Sequence, residues 1–245
     1  IVGKGSDVAG TLDRLGYPVN YYDRFANPVE KPVFKKAAPA GVTSATVIEN
    51  HVKAIGGEKK LKEVKSVSTI AKGSMQGMEI TMTQKQTAKG QMLASLNGMG
   101  MELMKQVITP TMGYMSGQGQ KQELKGEELK EAQASAKMFD ELEDLKNAAS
   151  FQLTGIETFN GEEAYVLKKD KETVYYSVAS GLKIAASETM EAQGQTVEMT
   201  TSYKDYKEVK GIKFPHTFTV PMLGGAEFKV SEIKVNEGVT DADFK

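Results

Sequence analysis

Apolar and polar positions alternate along most of the chain from about Val64 onward. Met78, Ile80 and Met82 share one phase of this alternation, while Glu79 and the neighbouring threonines share the other. A period of two is typical of antiparallel strands that have one covered face and one solvated face. The pattern therefore predicts a large antiparallel sheet, and its turn signals divide that sheet into about ten or eleven strands.

Three details in the later strands carry specific predictions. Asn160-Gly161 separates two strand-like runs and predicts a two-residue hairpin turn. Pro215 and Pro221 favour an edge strand or a bulged strand in "KFPHTFTVP", because proline lacks the N–H that a central strand donates. The last run, "AEFKVSEIKV", changes phase after Val230, which predicts a β-bulge.

Helical spacing is confined to three stretches. The first begins after Thr43, a candidate N-cap, and ends at Gly56-Gly57. Its apolar stripe consists of Val47, Ile48, Val52 and Ile55. The second, "EKKLKEV", predicts a short helix with Leu61 and Val64 facing inward. The third, "GEELKEAQASAKMFDELEDLKN", predicts one broken helix or two consecutive helices that sit on a sheet.

These patterns together predict an α+β fold, in which a large curled antiparallel sheet packs on a few helices. Open sheets of this size tend to curl, so an unclosed half-barrel with a hydrophobic hollow is expected. Residues 1–25 differ, because strand, short helix and strand follow one another there as a short α/β remnant of an upstream domain. Residues 26–42 hold three prolines and several alanines and predict a linker. Residues 43–245 then form the β-domain.

Composition excludes several classes of function. The 245 residues have a net charge of -1, so the basic face that nucleic acid requires is not expected. The chain has no cysteine, which excludes disulfides and thiolate chemistry. The sequence has no run of about 18 apolar residues of the kind that spans a membrane as a helix.

Candidate catalytic and metal-binding residues are few. The chain has two histidines, His51 and His216, and no His-x-x-Glu-His motif of the kind that holds zinc in peptidases. His51 is predicted to be an ordinary surface or boundary histidine. The carboxylates between Glu127 and Asp144 alternate with lysines and predict a solvated helix face. No catalytic residue, metal ligand or cofactor is predicted.

Methionine is the most informative residue type in this chain. Nine of its thirteen methionines lie between Met75 and Met115. Methionine is flexible and polarizable. A strand face rich in methionine therefore either fills a core or lines a surface for variable apolar ligands, and both alternatives stay open. The predicted ligand-binding set is Met78, Ile80, Met82, Met92, Leu96, Met101 and Met104 on the sheet, with Phe139 and Leu142 on the helices. Met101 and Met104 share a face only if a bulge intervenes, because their offset is odd.

The order of these parts resembles the bacterial lipoprotein-carrier fold of the LolA/LolB type over residues 43–245. The matching segments are "IGGEKKLKEVKSVSTIAKGSM", the acidic helices after "GYMSGQGQ", "GEEAYVLKKDKETVYYSVASGLKI", "YKDYKEVKGIKFPHTFTV" and "VSEIKVNEGVTDADF". The first thirty residues resemble the last strand, helix and strand of a pitrilysin/insulinase-type zinc peptidase domain. The whole chain thus resembles the C-terminal part of an envelope zinc protease of that type.

This resemblance implies a non-catalytic domain of the periplasm or cell envelope of a Gram-negative bacterium. Its implied partners are a lipid, a lipoprotein or an apolar peptide held in the hollow, and the peptidase domain of the same parent protein. The alternative is a structural module that completes the peptidase assembly without a ligand. A third interpretation is a part of a protein whose whole chain is a zinc metallopeptidase.

Overall fold

The computed structural model describes residues 19–23, 25–29, 36–192 and 195–245. Its first elements are two short strands that pair with each other, β1 (Tyr21–Tyr22) and β2 (Pro28–Val29). Of the strand, helix and strand predicted within residues 1–25, the second strand is present as β1. The predicted strand and helix before it lie outside the described residues.

Four α-helices follow within the described ranges. They are α1 (Ser44–Ala54), α2 (Glu58–Glu63), α3 (Gly126–Ser135) and α4 (Asp140–Lys146). All three predicted helical stretches are therefore confirmed, and the acidic one forms two consecutive helices. The Thr43 hydroxyl accepts a hydrogen bond from the Thr46 N–H at 3.2 Å, which confirms the predicted N-cap of α1.

One antiparallel sheet contains the remaining strands. They are β3 (Ser66–Met75), β4 (Met78–Thr87), β5 (Met92–Gly98), β6 (Met101–Ile108), β7 (Gly113–Gly117), β8 (Gln120–Glu123), β9 (Gln152–Phe159), β10 (Glu162–Lys169), β11 (Glu172–Ser177), β12 (Lys183–Ala192), β13 (Gln195–Val209), β14 (Ile212–Val220) and β15 (Ala226–Val235). Their hydrogen-bonded order is β8-β7-β6-β5-β4-β3-β15-β14-β13-β12-β11-β10-β9. Because β8 and β9 stand at the two ends, the sheet is unclosed.

The predicted large antiparallel sheet is confirmed, but it has thirteen strands rather than ten or eleven. Strand β8 illustrates the difference, since its four residues are polar and exposed throughout. A strand without an apolar face shows no alternation, so its sequence resembles a loop.

Contacts divide the chain into two compact units. The first contains the described residues up to His51 and those between Asn147 and Glu198. The second contains residues 52–146 and 199–245. The predicted boundary at residues 26–42 stays a prediction.

In the first unit, the predicted turn at Asn160-Gly161 is confirmed. Both residues have positive φ, 54° and 87°, as a two-residue turn of the favoured hairpin type requires. Lys36 forms a bridge with Ile156 of β9 through two backbone hydrogen bonds of 2.9 and 2.8 Å. The backbone just before α1 is thereby attached to the end strand of the sheet.

In the second unit, the start of β5 is covered on both faces of the sheet. Successive residues of β5 show this, because Met92 and Leu93 point to opposite sides and both are buried. Met92 packs with Ile108 and with Ala136, the residue that follows α3. Leu93 packs on the other side with Phe244, which lies in the C-terminal 3₁₀ turn Asp241–Phe244.

Two sequence predictions for β14 and β15 have different outcomes. The pairing of β15 with β3 shifts register between Val230 and Glu232, so the predicted bulge is confirmed. Strand β14 is an interior strand, so of the two alternatives predicted for it, an edge strand or a bulged strand, the edge position was wrong. The reason is local: Pro215 pairs with Tyr206 of β13, whereas the pairing with β15 begins only at Thr217. The missing N–H of Pro215 therefore interrupts no ladder on that side.

The Lys85–Asp243 ion pair carries a prediction about pH. The two side chains are about four-fifths buried and their charged atoms, Nζ and Oδ1, lie 2.5 Å apart. Burial alone would raise the pKa of Asp243, but the hydrogen bond from Lys85, the Thr240 N–H and the lysine charge together lower it. A lowered pKa in the folded state stabilises the protein above the unfolded value of about 4, and this stabilisation disappears as pH falls through the folded value.

We therefore expect Asp243→Asn to lower the free energy of unfolding by about 1–2 kcal/mol at pH 7. The difference from the unchanged protein should shrink as pH falls through the lowered folded-state pKa of Asp243, because protonation then removes the charge that Asn lacks. Urea titrations at several pH values measure this difference. Glu237→Gln is the control, because the Lys210–Glu237 pair is more than half exposed and should contribute little. A deficit of Asp243→Asn that did not change with pH would contradict the assignment to this ion pair.

Candidate functional site

The candidate site is an apolar cluster in the second unit, which we call the Ile80 cluster. Its buried centre is Ala71, Ile80 and Phe228. Ten partly exposed apolar side chains pack around this centre. They are Met75, Met78, Met82, Leu96, Leu103, Phe218, Val220, Leu223, Ala226 and Val230. All of them lie on β3 to β6, β14 and β15 or on the 3₁₀ turn Pro221–Leu223.

Strand register explains why these residues share one face. Met82 lies opposite Ala71 on β3 and opposite Leu96 on β5. Ile80 lies opposite Gly73 and Gly98, two residues further along the same strands. Alternation then places every second residue of these strands on the same side. On the same side, two residues beyond Met82 and Met104 along their strands, lie Gln84 and Gln106, which are polar but uncharged.

Glycines opposite Ile80 make room for large side chains. The Phe228 ring lies over Gly73, where a Cβ atom would come within 2.9 Å of the ring. Phe228 also stacks on Phe218, with ring centroids 5.9 Å apart and planes 14° apart. The Ile80 and Leu103 side chains meet in the same way over Gly98. The centre of the cluster is thus closely packed, while its surroundings are partly open.

A bulge brings Met101 and Met104 onto the same face. The pairing of β5 with β6 shifts register between Leu96 and Asn97. Met104 consequently pairs with Leu96, and Met101 pairs with Gly98. The sequence predicted a shared face for these two methionines only if such a bulge intervened.

The predicted ligand-binding residues fall into separate groups. Met78, Ile80, Met82 and Leu96 belong to the Ile80 cluster. Met92 lies instead in the cluster next to α3. Met104 is half-buried, whereas the Met101 side chain is 61% exposed.

The two residues that the sequence placed on the helices, Phe139 and Leu142, are not members of the Ile80 cluster, and Phe139 lies just before α4 rather than within a helix. The Phe139 ring packs against Phe214, with centroids 6.3 Å apart. Leu142 is half-buried in the first turn of α4, and its N–H donates to the Phe139 carbonyl. Among the described residues, no α-helical side chain belongs to the cluster around Ile80. Within the predicted set, Met92 does pack beside a helix, since its cluster includes Ala132 of α3.

Sequence reasoning missed several members of the cluster. Phe218, Phe228 and Val220 come from the C-terminal strands, and their alternating positions were a usable signal. Leu103 gave no such signal, because its place depends on the bulge in β6.

The described residues contain few groups suited to catalysis. No three of their His, Asp or Glu side chains come together as a metal site would need. Burial, together with the charges of Glu157 and Glu198, raises the pKa of Tyr175 to about 12, so its hydroxyl remains protonated at neutral pH.

His51 is buried, with 1% of its surface exposed, so the prediction of a surface or boundary position was wrong. Helical spacing places it three and four residues after Ile48 and Val47, on the buried stripe of α1.

No helix in the described part of the chain is long and apolar enough to cross a membrane.

Comparisons with known proteins show the fold. No family model matches the chain. No curated protein matches it either. A DUF1329 family protein from Desulfovibrio piger is similar in structure, with a TM-score of 0.51 and 12% identity over 83% of this chain and 98% of that one.

Two other solved structures are less similar. A LolA superfamily protein from Nitrosomonas europaea has a TM-score of 0.48 and 12% identity over 84% of this chain and 98% of its own. The lipoprotein LppX from Mycobacterium tuberculosis has a TM-score of 0.36 and 11% identity over 80% of this chain and 97% of its own. The chain therefore shares the fold of the Desulfovibrio piger protein over most of both chains.

Proposed function

We propose that the chain is a non-catalytic domain that binds an acyl chain, of a lipid or lipoprotein, or an apolar peptide on the Ile80 cluster. One observation carries this proposal: ten apolar side chains from neighbouring strands stay partly exposed around a buried centre. Contiguous apolar surface of this kind is typical of interaction sites in soluble proteins. Three of the ten are methionines, which reshape around differing apolar partners at little cost.

The sequence resemblance of residues 43–245 to lipoprotein carriers supports the same class of ligand. It also supports a place in the periplasm or envelope of a Gram-negative bacterium. Attachment to a pitrilysin-type zinc peptidase is the further part of the proposal, and it rests on the resemblance of the first thirty residues. In that arrangement this domain would hold an apolar ligand beside the peptidase.

The test uses a neutral apolar dye, N-phenyl-1-naphthylamine, whose fluorescence rises in apolar surroundings. The unchanged protein should bind the dye saturably. Met82→Glu should weaken binding at least about tenfold, which corresponds to 1.4 kcal/mol, because a carboxylate would have to be desolvated under the ligand. Circular dichroism checks that the variant stays folded.

Two matched variants complete this test. Met82→Leu should keep dye binding, since it preserves apolar character and nearly preserves volume. Met112→Glu should also keep it, because Met112 is already 39% exposed and lies outside the cluster. If the unchanged protein binds no dye, or if folded Met82→Glu binds it equally well, the methionines are core filler. The structural-module alternative then describes the domain better.

A further inference from the structure

The segment "YYSVASGL", residues 175–182, ends in a closely bonded loop in the first unit between β11 and β12. We call residues 177–181 the serine loop. Its two ends are joined by the Ser177 N–H, which donates to the Leu182 carbonyl at 2.8 Å, and by the Gly181 N–H, which donates to the Ser177 carbonyl at 2.9 Å. The Val178 N–H donates to the Glu163 carbonyl at 2.9 Å. The loop is therefore attached both to itself and to β10.

Side-chain hydrogen bonds also stabilise the serine loop. The Ser177 hydroxyl donates to the Glu162 carboxylate and accepts from the Ser180 N–H at 3.0 Å. The Ser180 hydroxyl accepts from the Leu182 N–H at 3.3 Å. A loop with this many bonds keeps one shape before any ligand arrives, which reduces the entropy lost on binding.

His51 supports the loop from α1. Its Nδ1 lies 3.0 Å from the Gly181 carbonyl oxygen, and its ring packs against Tyr176 with centroids 5.0 Å apart. Both rings are 1% exposed. The buried histidine thus joins the helix to the loop, and the apolar-ligand proposal assigns it no role.

A pocket of about 230 Å³ lies between α1 and the serine loop. Val47 and Asn50 line it from the helix, Tyr165 and Tyr176 line it from β10 and β11, and the loop forms the remaining wall. Tyr165 and Tyr176 are direct partners across the two strands. This pocket belongs wholly to the first unit, whereas the Ile80 cluster belongs to the second.

The residues that line this pocket favour a neutral ligand that forms hydrogen bonds. The lining has tyrosine, asparagine and serine side chains beside small apolar ones, and no Lys, Arg, Asp or Glu. Two carboxylates of β10 near the loop already have partners, since Glu162 accepts from Ser177 and Glu163 pairs with Lys36. A charged ligand would lose its hydration here without gaining an opposite charge.

We propose that this pocket binds one uncharged sugar ring. A pyranose presents apolar C–H faces, which suit the half-buried ring of Tyr165, and hydroxyl groups, which suit the Asn50 amide and the hydroxyls of Tyr165 and Ser180. The volume is below the roughly 300 Å³ at which pockets for drug-sized ligands begin, so it suits one ring rather than a longer saccharide. This site is independent of the apolar-ligand proposal.

Saturation-transfer NMR and calorimetry on the full chain test this assignment with glucose and N-acetylglucosamine as neutral probes. Both should bind saturably with a Kd on the order of 1 mM, which is about 4 kcal/mol. Glucuronate and protonated glucosamine should bind at least about fivefold more weakly, because the pocket offers no counter-charge. Absence of saturable binding by either neutral sugar up to about 50 mM would overturn the proposal.

Variants locate the bound sugar. Asn50→Leu should weaken sugar binding at least about fivefold without unfolding the protein, since Asn50 is exposed on α1 and its amide is lost. Glu49→Gln is the control on the same helix and should bind as before, because Glu49 does not line the pocket. Equal sugar affinity of Asn50→Leu and the unchanged protein would overturn the location. Asn50→Leu and the unchanged protein should bind the apolar dye equally well. Loss of sugar binding is therefore distinguishable from loss of dye binding at the Ile80 cluster.

Discussion

Replacing Phe228 with alanine is expected to lower the free energy of unfolding by about 3–5 kcal/mol. The Phe228 ring is fully buried at the centre of the Ile80 cluster, covers Gly73 and stacks on Phe218. Its removal would lose the transfer free energy of an aromatic ring and leave a cavity. Gly73 has no side chain with which to fill that space.

Urea denaturation followed by circular dichroism measures this loss. Met222→Ala is the control, because its side chain is 81% exposed in the turn after β14 and should change stability by less than about 0.5 kcal/mol. A loss below about 1 kcal/mol for Phe228→Ala would mean that the centre of the cluster is loosely packed. Such a result would contradict the division into a closed centre and a partly open surround.

The second large effect is expected at Gly56, where Gly56→Ala should cost about 2–4 kcal/mol. Gly56 has a φ of 137°, a conformation that residues with a side chain rarely adopt. A Cβ atom there would lie 2.7 Å from the carbonyl oxygen of Gly211. The backbone cannot easily withdraw, because the neighbouring Ile55 carbonyl accepts a hydrogen bond from the Lys213 N–H at 2.8 Å.

Gly57→Ala separates the two contributions to this effect. Gly57 also has a positive φ, 90°, but nothing lies within 4 Å of the position that its Cβ would occupy. It should therefore show only the conformational cost of about 1–2 kcal/mol. Thermal and urea unfolding of both variants give the comparison. Equal losses would show that the close approach of Gly211 contributes nothing.

Local signals in the sequence were sufficient for much of the secondary structure. The Asn160-Gly161 turn, the N-cap at Thr43 and the phase change after Val230 each depend on a few adjacent residues. Such features are encoded by backbone preferences and side-chain period, which act over one or two turns of chain. Alternation likewise placed Met78, Ile80 and Met82 on one face.

Long-range strand pairing determines which elements pack against each apolar face of the sheet. The Ile80 cluster exists because β15 pairs with β3, which brings Phe228 beside Gly73 from a distant part of the chain. The same kind of partner choice placed Met92 near α3, kept Phe139 beside Phe214 and made β14 an interior strand. Periodicity cannot distinguish these outcomes, because it reports that a face is apolar but not which element covers it.

Local sequence patterns therefore predicted the antiparallel sheet, its turns and the phase of its methionines. Long-range packing, in contrast, closes part of this apolar face with Phe228 and leaves the rest partly exposed. It also decided that His51 lies beneath a loop rather than at the surface. The physical reason is the same in both cases: exposure depends on neighbours brought together by folding, whereas side-chain phase depends on the local backbone.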